Sequence, residues 1–360
     1  MNDKITLYPA SWLYNAGVVG LIQTKSEFFE FQENLVVMDK NIFQRIDFED
    51  YFDINRIINL KGKNEFYPNF IDTQGNQIEI FKKFISSFNG LIQSGYCHIC
   101  GNAFNISKDV FQEIYESSDA GKNFLSKIQN FDMIYNSLLG PSTSKFPNGV
   151  WNLDQSLEVC NLCSFILIHH HLSYTKLSDG TKIFINAPSF RLMYELNRLI
   201  KNLYGQDSSQ NIPVREILAT SVIEYSRKLS ALFSKWLVAN IEVVIKTNDK
   251  IDFFSLPAEV SILISDRNIS ALLASIGESK ILNLVLDQNY SELIDYGYDF
   301  LKIGLKENKS LSKLDKELIN NVIKRESNKQ NITLFADKLF TLYSLIEEKL
   351  KENKKWNYRN

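Results

Sequence analysis

The four cysteines of the chain form two Cys-x-x-Cys pairs, and no cysteine lies outside them. The first pair is Cys97 with Cys100, and the second is Cys160 with Cys163. Two intervening residues allow both thiolates of a pair to reach one ion, so two pairs complete the tetrahedral coordination of a structural zinc and leave no position for water or substrate. A redox pair, disulfides and unliganded thiols are the alternatives, although a redox site needs only one such pair. The sequence therefore predicts one structural zinc ion bound by four thiolates.

Three consecutive histidines, His169 to His171, follow the second cysteine pair. The surrounding residues 164–174 have the composition of a strand, and alternation in a strand puts His169 and His171 on one face and His170 on the other. Such a triplet cannot form a facial metal site by itself, so we expect partly buried or exposed strand residues. The sequence has no Gly-rich phosphate loop, nucleophile elbow or HExxH motif. We therefore predict no catalytic residues and a protein that is not an enzyme.

The composition is that of a folded protein with more than one domain. The chain has 360 residues, of which 44% are hydrophobic and 12% aromatic, enough to bury a full core. It has no apolar run of membrane-spanning length and no signal-like N-terminus, and its cysteines follow a reduced pattern, so we expect a cytoplasmic protein without a membrane contact. The net charge is only −2, but residues 302–360 hold 14 Lys and Arg against 8 Asp and Glu. This basic end fits either solvated helix faces or nucleic-acid contact.

Hydrophobic patterning divides the chain into two parts. Residues 1–188 mix helix and strand signals. A helix is predicted from Ser11, with small residues that permit a close backbone approach. Strand-like runs follow at 28–37 and 77–81, and a hairpin is predicted around Asp179-Gly180. Residues 189–360 show helical periodicity, with a seam along 218–236 that is typical of a bundle. Further helices are predicted over 269–286, 290–305, 313–324 and 334–351. We therefore predict an α+β fold, with a zinc-containing mixed α/β domain over 1–188 and a helical bundle over 189–360.

The combination of three motifs resembles a known family. Residues 12–20 (WLYNAGVVG), the two cysteine pairs in order, and the KIFIN strand at 182–186 resemble the CRISPR-associated CXXC/CXXC proteins, the large subunits of type I-B Cascade surveillance complexes. The resemblance covers roughly the first 200 residues. It implies a non-enzymatic subunit that inspects the protospacer-adjacent motif on duplex DNA and helps to open the duplex, while base pairing with the guide reads the sequence.

The same resemblance implies a set of partners. These are the guide RNA and the other Cascade subunits, the target duplex with its displaced strand, and a nuclease-helicase that is recruited for cleavage. The C-terminal half would resemble the small-subunit fold that lines the complex.

Two kinds of surface have the composition that nucleic-acid contact requires. Groove inspection needs Asn, Gln, Lys or Arg on a protruding element, and strand contacts need scattered cations. Ordinary polar connections and solvated helix faces remain alternatives. The candidates are a loop at 69–77 with Gln74 and Asn76, a loop at 142–148 with Lys145 and Asn148, and the polar side of the first bundle helix with Arg215, Arg227, Lys228 and Lys235.

Two other classes of function compete with this interpretation. A zinc-ribbon adaptor or transcription-type protein is compatible with the cysteine pairs and the bundle but does not account for residues 12–20. A metal-dependent nuclease needs an open metal position and a neighbouring acid or base, and a site with four cysteines supplies neither.

Overall fold

The computed structural model gives a mixed α/β protein. It describes residues 4–47, 50, 97, 99, 130–132, 156–158, 160–205, 214–228, 241–247, 251–306 and 311–357. Backbone contacts divide the chain into two compact units, unit 1 with residues 1–208 and 244–253, and unit 2 with residues 209–243 and 254–360. In the described part, no helix has the length and apolarity needed to cross a membrane.

Unit 1 has small antiparallel sheets. In the first, β3 (Leu35–Asp39) lies between β1 (Lys4–Leu7) and β2 (Phe29–Gln32). The run predicted as strand at 28–37 is therefore a hairpin, because Glu33 adopts a left-handed φ of 44° and reverses the chain. A second sheet pairs β4 (Asn130–Asp132) with β5 (Ser156–Glu158).

Among the described residues, the largest sheet has four strands in the order β6-β7-β8-β9. The turn between β6 and β7 contains Gly180 at a φ of 86°, which confirms the hairpin predicted from Asp179-Gly180. Strands β8 and β9 come from the half of the sequence that was predicted to be wholly helical. The strands are β6 (Thr175–Lys176), β7 (Lys182–Asn186), β8 (Glu242–Lys246) and β9 (Ile251–Ser255).

The segment after the second cysteine pair is helical, so the strand predicted over 164–174 is wrong. Helix α2 (Asn161–Leu167) is followed by a 3-10 turn, His170–Leu172. Residues 165–170 are all buried. A segment surrounded by protein needs no polar face, and a short apolar run without periodicity does not distinguish a buried helix from a buried strand.

Helix α1 (Trp12–Thr24) is the centre of unit 1. It begins after Ser11, as predicted, and every residue from Leu13 to Ile22 is buried. It packs against α2, the His170–Leu172 turn, β7 and α3 (Phe190–Tyr204). Because α3 packs on α1, β3 and β7, it belongs to unit 1, so the division of the chain falls after residue 188.

Two glycines of α1 bring its backbone against the segment that follows the cysteines. A Cβ atom at Gly17 would lie 2.4 Å from the carbonyl oxygen of Ile166, and one at Gly20 would lie 2.1 Å from that of His169. Both distances are too short for a real Cβ, and a backbone atom cannot rotate away. The close approach expected from the small residues of the WLYNAGVVG motif is confirmed.

Unit 2 is built mainly of helices that pack through apolar faces. α4 packs on α5, α6 and α7, and α8 lies along α11, where Phe300 contacts Phe335 with ring centroids 5.1 Å apart. The helix predicted over 269–286 is two helices, because Gly277 adopts a left-handed φ of 62° and ends the first. The helices are α4 (Val214–Lys228), α5 (Ala258–Ser265), α6 (Arg267–Ile276), α7 (Ser279–Leu286), α8 (Ser291–Gly304), α9 (Lys313–Val322), α10 (Glu326–Gln330) and α11 (Ile332–Asn357).

A buried carboxylate links two segments of unit 2. Glu278 is 2% exposed and accepts hydrogen bonds from the backbone amides of Lys324 and Arg325 and from Nδ2 of Asn328, at 2.8, 3.0 and 2.7 Å. Three donors compensate for the desolvation of the charge. The start of α10 is thereby fixed to the loop between α6 and α7.

We predict that Gly20→Ala destabilises the chain by about 1–3 kcal/mol, the usual cost of overpacking a core. The new methyl group would collide with the carbonyl oxygen of His169, which belongs to the backbone. The measurement is the free energy of unfolding in a denaturant titration. Gly297→Ala is the control, because the atoms nearest to its methyl group belong to the ring of Phe340, a side chain that can move. Equal stability of Gly20→Ala and wild type would contradict the close approach.

Candidate metal centre

Three of the four cysteines lie together beside the start of α2. Cys160 precedes the helix, and Cys163 lies in its first turn. The amide of Cys163 donates to Sγ of Cys160 at 3.4 Å, and the amide of Cys160 donates to Sγ of Cys97 at 3.3 Å. Amide donors directed at sulfur stabilise the thiolate form, which is the form that binds metal.

The geometry of the cluster suits a metal ion. The Sγ atoms of Cys97, Cys160 and Cys163 lie within 4.8 Å of one another, and the three residues are 1%, 4% and 0% exposed. Tetrahedral zinc with Zn–S bonds of about 2.3 Å separates its sulfur ligands by roughly 3.8 Å, which is compatible with this cluster. Buried thiolates are costly without a compensating cation. The three cysteines can therefore hold a metal ion, and the predicted fourth ligand, Cys100, lies outside the described residues.

The histidine triplet follows α2, and its role differs from that of the partly buried or exposed strand that we expected. His169 is 0% and His170 2% exposed. Nδ1 of His169 donates to the carbonyl of Phe165 at 2.8 Å, and Nδ1 of His170 donates to that of Leu167 at 2.6 Å. The donor assignment follows because a carbonyl oxygen only accepts. These bonds cap the last carbonyls of α2, the helix that begins at the cysteine pair.

Both buried histidines are neutral at physiological pH. Burial, with a smaller contribution from the neighbouring His171, lowers the pKa of His169 and of His170 to about 3. Sequence reasoning missed this supporting role. The signal that was present is the apolar run at 165–168 directly before the triplet, which places the first histidines in the core.

Arg215, the described member of the predicted basic face, forms contacts within unit 2. Its Nη1 forms an ion pair with Asp287 at 2.8 Å, and its Nε and Nη2 donate to Oδ1 of Asn283 at 3.1 and 2.8 Å. Asn283 in turn donates to Glu216 at 2.7 Å. The guanidinium lowers the pKa of Asp287 through its hydrogen bond. Arg215 therefore links α4 to α7, and its alanine variant would break these contacts in addition to any phosphate contact.

The other candidate nucleic-acid residues are not described in the same detail. Arg227 and Lys228 lie in the last turn of α4, and the structure describes their backbone alone. The remaining candidates, Gln74, Asn76, Lys145, Asn148 and Lys235, lie outside the described residues.

Comparisons of the chain with protein-family models, with curated proteins and with solved structures found no match.

We predict that the purified chain contains one zinc ion and that Cys160→Ser releases it. Loss of a structural site should lower the free energy of unfolding by several kcal/mol. Metal analysis by mass spectrometry under reducing, chelator-free conditions gives the ratio. His171→Gln is the control, because His171 is not part of the cysteine cluster, and it should keep its zinc. A ratio near zero in the wild type would refute the metal centre.

From the low pKa values of the two buried histidines, we predict that the chain loses stability in acid. Each has a pKa of about 3 in the folded chain against an ordinary value of 6.5, so unfolding takes up a proton at each site below pH 6.5. The stabilisation is complete above that pH and is lost as the pH falls towards 3, by about 1.4 kcal/mol per pH unit and histidine.

The variant His170→Gln isolates this contribution, because protonation of the thiolates affects variant and wild type alike. Between pH 6 and 4, the free energy of unfolding should fall less steeply for the variant than for the wild type. The difference in slope should be about 1.4 kcal/mol per pH unit, the value for one proton. Parallel pH profiles for the two proteins would show that His170 is already protonated when folded.

Proposed function

We propose that the chain is the non-catalytic large subunit of a type I-B CRISPR surveillance complex. In this role it recognises the protospacer-adjacent motif on duplex DNA, supports R-loop formation and recruits a nuclease-helicase in antiviral defence. Its site of action is the cytoplasm, in keeping with reduced cysteines. Base pairing with the guide RNA reads the rest of the target.

The observation that supports this proposal is the contact among the three motifs of the resemblance. The WLYNAGVVG segment forms most of α1, the KIFIN segment is β7, and the second cysteine pair begins α2. Nδ2 of Asn15 donates to Oδ1 of Asn186 at 2.8 Å, which joins the first motif to the end of the third. Gly17 and Gly20 join the first motif to the segment after the second.

Motifs that contact one another are expected if they specify one fold. Asn15 is 1% exposed, and its side chain also forms two hydrogen bonds with the backbone of Ala10, at 2.8 and 3.0 Å. A buried amide with a full set of partners fixes the segment before α1. The three motifs therefore lie in one packed core.

The non-catalytic part of the proposal rests on a closed site of four thiolates, which Cys100 would complete. Structural zinc sites are fully coordinated by protein and leave no position for a reacting water. A zinc ion at this site would join the segment at Cys97 to the segment at Cys160, 63 residues later. In this role, the loops at 69–77 and 142–148 are the proposed readers of the DNA groove, and Arg215, Arg227, Lys228 and Lys235 are the proposed phosphate contacts.

Purification of the tagged chain from its native cells tests the proposal. We predict that it elutes as a large complex with a stoichiometric short RNA of CRISPR repeat and spacer sequence, together with other Cascade subunits. The tagged variant Cys160→Ser, which damages the metal centre, should recover less RNA at equal expression.

Three results would contradict the proposal. The first is a chain that elutes free of RNA. The second is recovery with a transcription apparatus, which would favour a zinc-ribbon adaptor. The third is an isolated chain that hydrolyses nucleic acid with Mg²⁺, Mn²⁺ or Zn²⁺ and loses that activity in His171→Gln, which would make it a nuclease.

A further inference from the structure

Two arginines and two aromatic rings form a continuous row on the surface of unit 1. The guanidinium carbon of Arg191 lies 5.8 Å from the ring centroid of Phe31, and that of Arg198 lies 5.6 Å from the centroid of Tyr194. The two rings lie 5.5 Å apart. We call these four residues the stacked row. Phe31 comes from β2 and the other three from α3, so two elements fix its geometry.

The stacked row faces solvent and is positively charged. Arg191 and Arg198 are exposed, and the two rings are half-buried. Residues 191, 194 and 198 recur every three to four positions and therefore share one face of α3, and exposed Lys201 continues that face by one turn. Glu195 pairs with Arg198 at 3.0 Å. One acid against three cations leaves the face with a net positive charge.

Stacking on the rings holds the arginine side chains in an orientation that suits contact with a phosphate. A ring beneath a guanidinium restricts its orientation, and the N–H groups at the edge of the plane remain available for bidentate contact with a phosphate. Arg191 uses one of its donors in a 3.4 Å hydrogen bond to the carbonyl of Phe31, and an arginine has five. Less side-chain entropy is then lost when a phosphate binds.

The order of groups in the row matches a single nucleic-acid strand. Cations at both ends suit phosphates, and the half-exposed rings between them offer apolar surface on which the face of a base can pack. Arg191 and Arg198 are separated along the helix by about 10 Å, a length of about three stacked nucleotides at roughly 3.4 Å each. In a duplex the bases are paired and stacked, and the rings would then contribute nothing.

We propose that the stacked row binds a single strand of nucleic acid through its phosphates and the faces of its bases. The biological role of the row rests on the proposed function, in which a duplex is opened and a strand must be held. The contacts themselves read no base edge, so single-stranded DNA and RNA of one sequence should bind with similar affinity.

Fluorescence anisotropy with the isolated full chain and a labelled 20-nucleotide single strand tests the proposal. The double variant Arg191→Gln/Arg198→Gln should bind about 10-fold more weakly. Its plot of log affinity against log salt concentration should be shallower by about 1.4, the value for two lost contacts with a single strand. Tyr194→Leu should weaken binding at least about 5-fold without a change of charge, because it removes the stacking ring.

A matched control separates the row from bulk charge. Arg45→Gln/Lys176→Gln removes two exposed cations of unit 1 that are not part of the row, and Arg45, like the row arginines, lies over a ring, that of Phe28 at 5.9 Å. The control should bind like the wild type. Thermal melts must show that all variants are folded, and Arg198→Gln alone, with an expected loss of about 3-fold, serves if the double variant is not.

Four results would overturn the proposal. They are a wild-type chain that does not bind the single strand, a control that loses as much affinity as the row variant, a duplex that binds more tightly than the single strand, and displacement of the strand by an equal concentration of polyglutamate, which would indicate an acidic protein partner. The assay contains no guide RNA or other subunit. Failure of the row is therefore distinguishable from failure of the proposed complex.

Discussion

The structure of unit 1 depends on a backbone contact between α1 and the segment that follows the second cysteine pair. At Gly17 and Gly20, the helix approaches the carbonyls of Ile166 and His169 so closely that a single methyl group does not fit. This contact fixes the position of α2 and, with it, that of Cys160 and Cys163. A metal centre requires its ligands to be fixed in place, and here the support is main chain against main chain.

The second constraint is that the polar groups of a segment without an exposed face need hydrogen-bond partners inside the protein. Residues 165–170 are buried, so the carbonyls at the end of α2 need partners within the protein. His169 and His170 provide these partners as neutral donors. The same burial that makes them good caps lowers their pKa values to about 3. His169 and His170 are therefore part of the support of the cysteine cluster.

The sequence predicted features whose signal is local. Gly17 and Gly20, the Gly180 hairpin and most helices of unit 2 follow from residue type and periodicity. The strand prediction at 164–174 was wrong, because burial on all sides removes the periodicity that distinguishes helix from strand. Strands β8 and β9 were missed because β8 pairs with β7, a long-range contact that no short window contains. Of the candidate site, the sequence predicted the clustering of Cys97, Cys160 and Cys163, and the ligation by Cys100 stays a prediction.

X-ray absorption at the zinc edge of the purified full chain tests the central claim most directly, because it reports the number and kind of ligands around the ion. Four sulfur ligands at about 2.3 Å are expected if Cys97, Cys100, Cys160 and Cys163 form a closed structural site. A shell with nitrogen or oxygen ligands at about 2.0 Å would contradict it. Such a shell would mean that the site is open to histidine or water and that the cysteine pairs do not complete one centre.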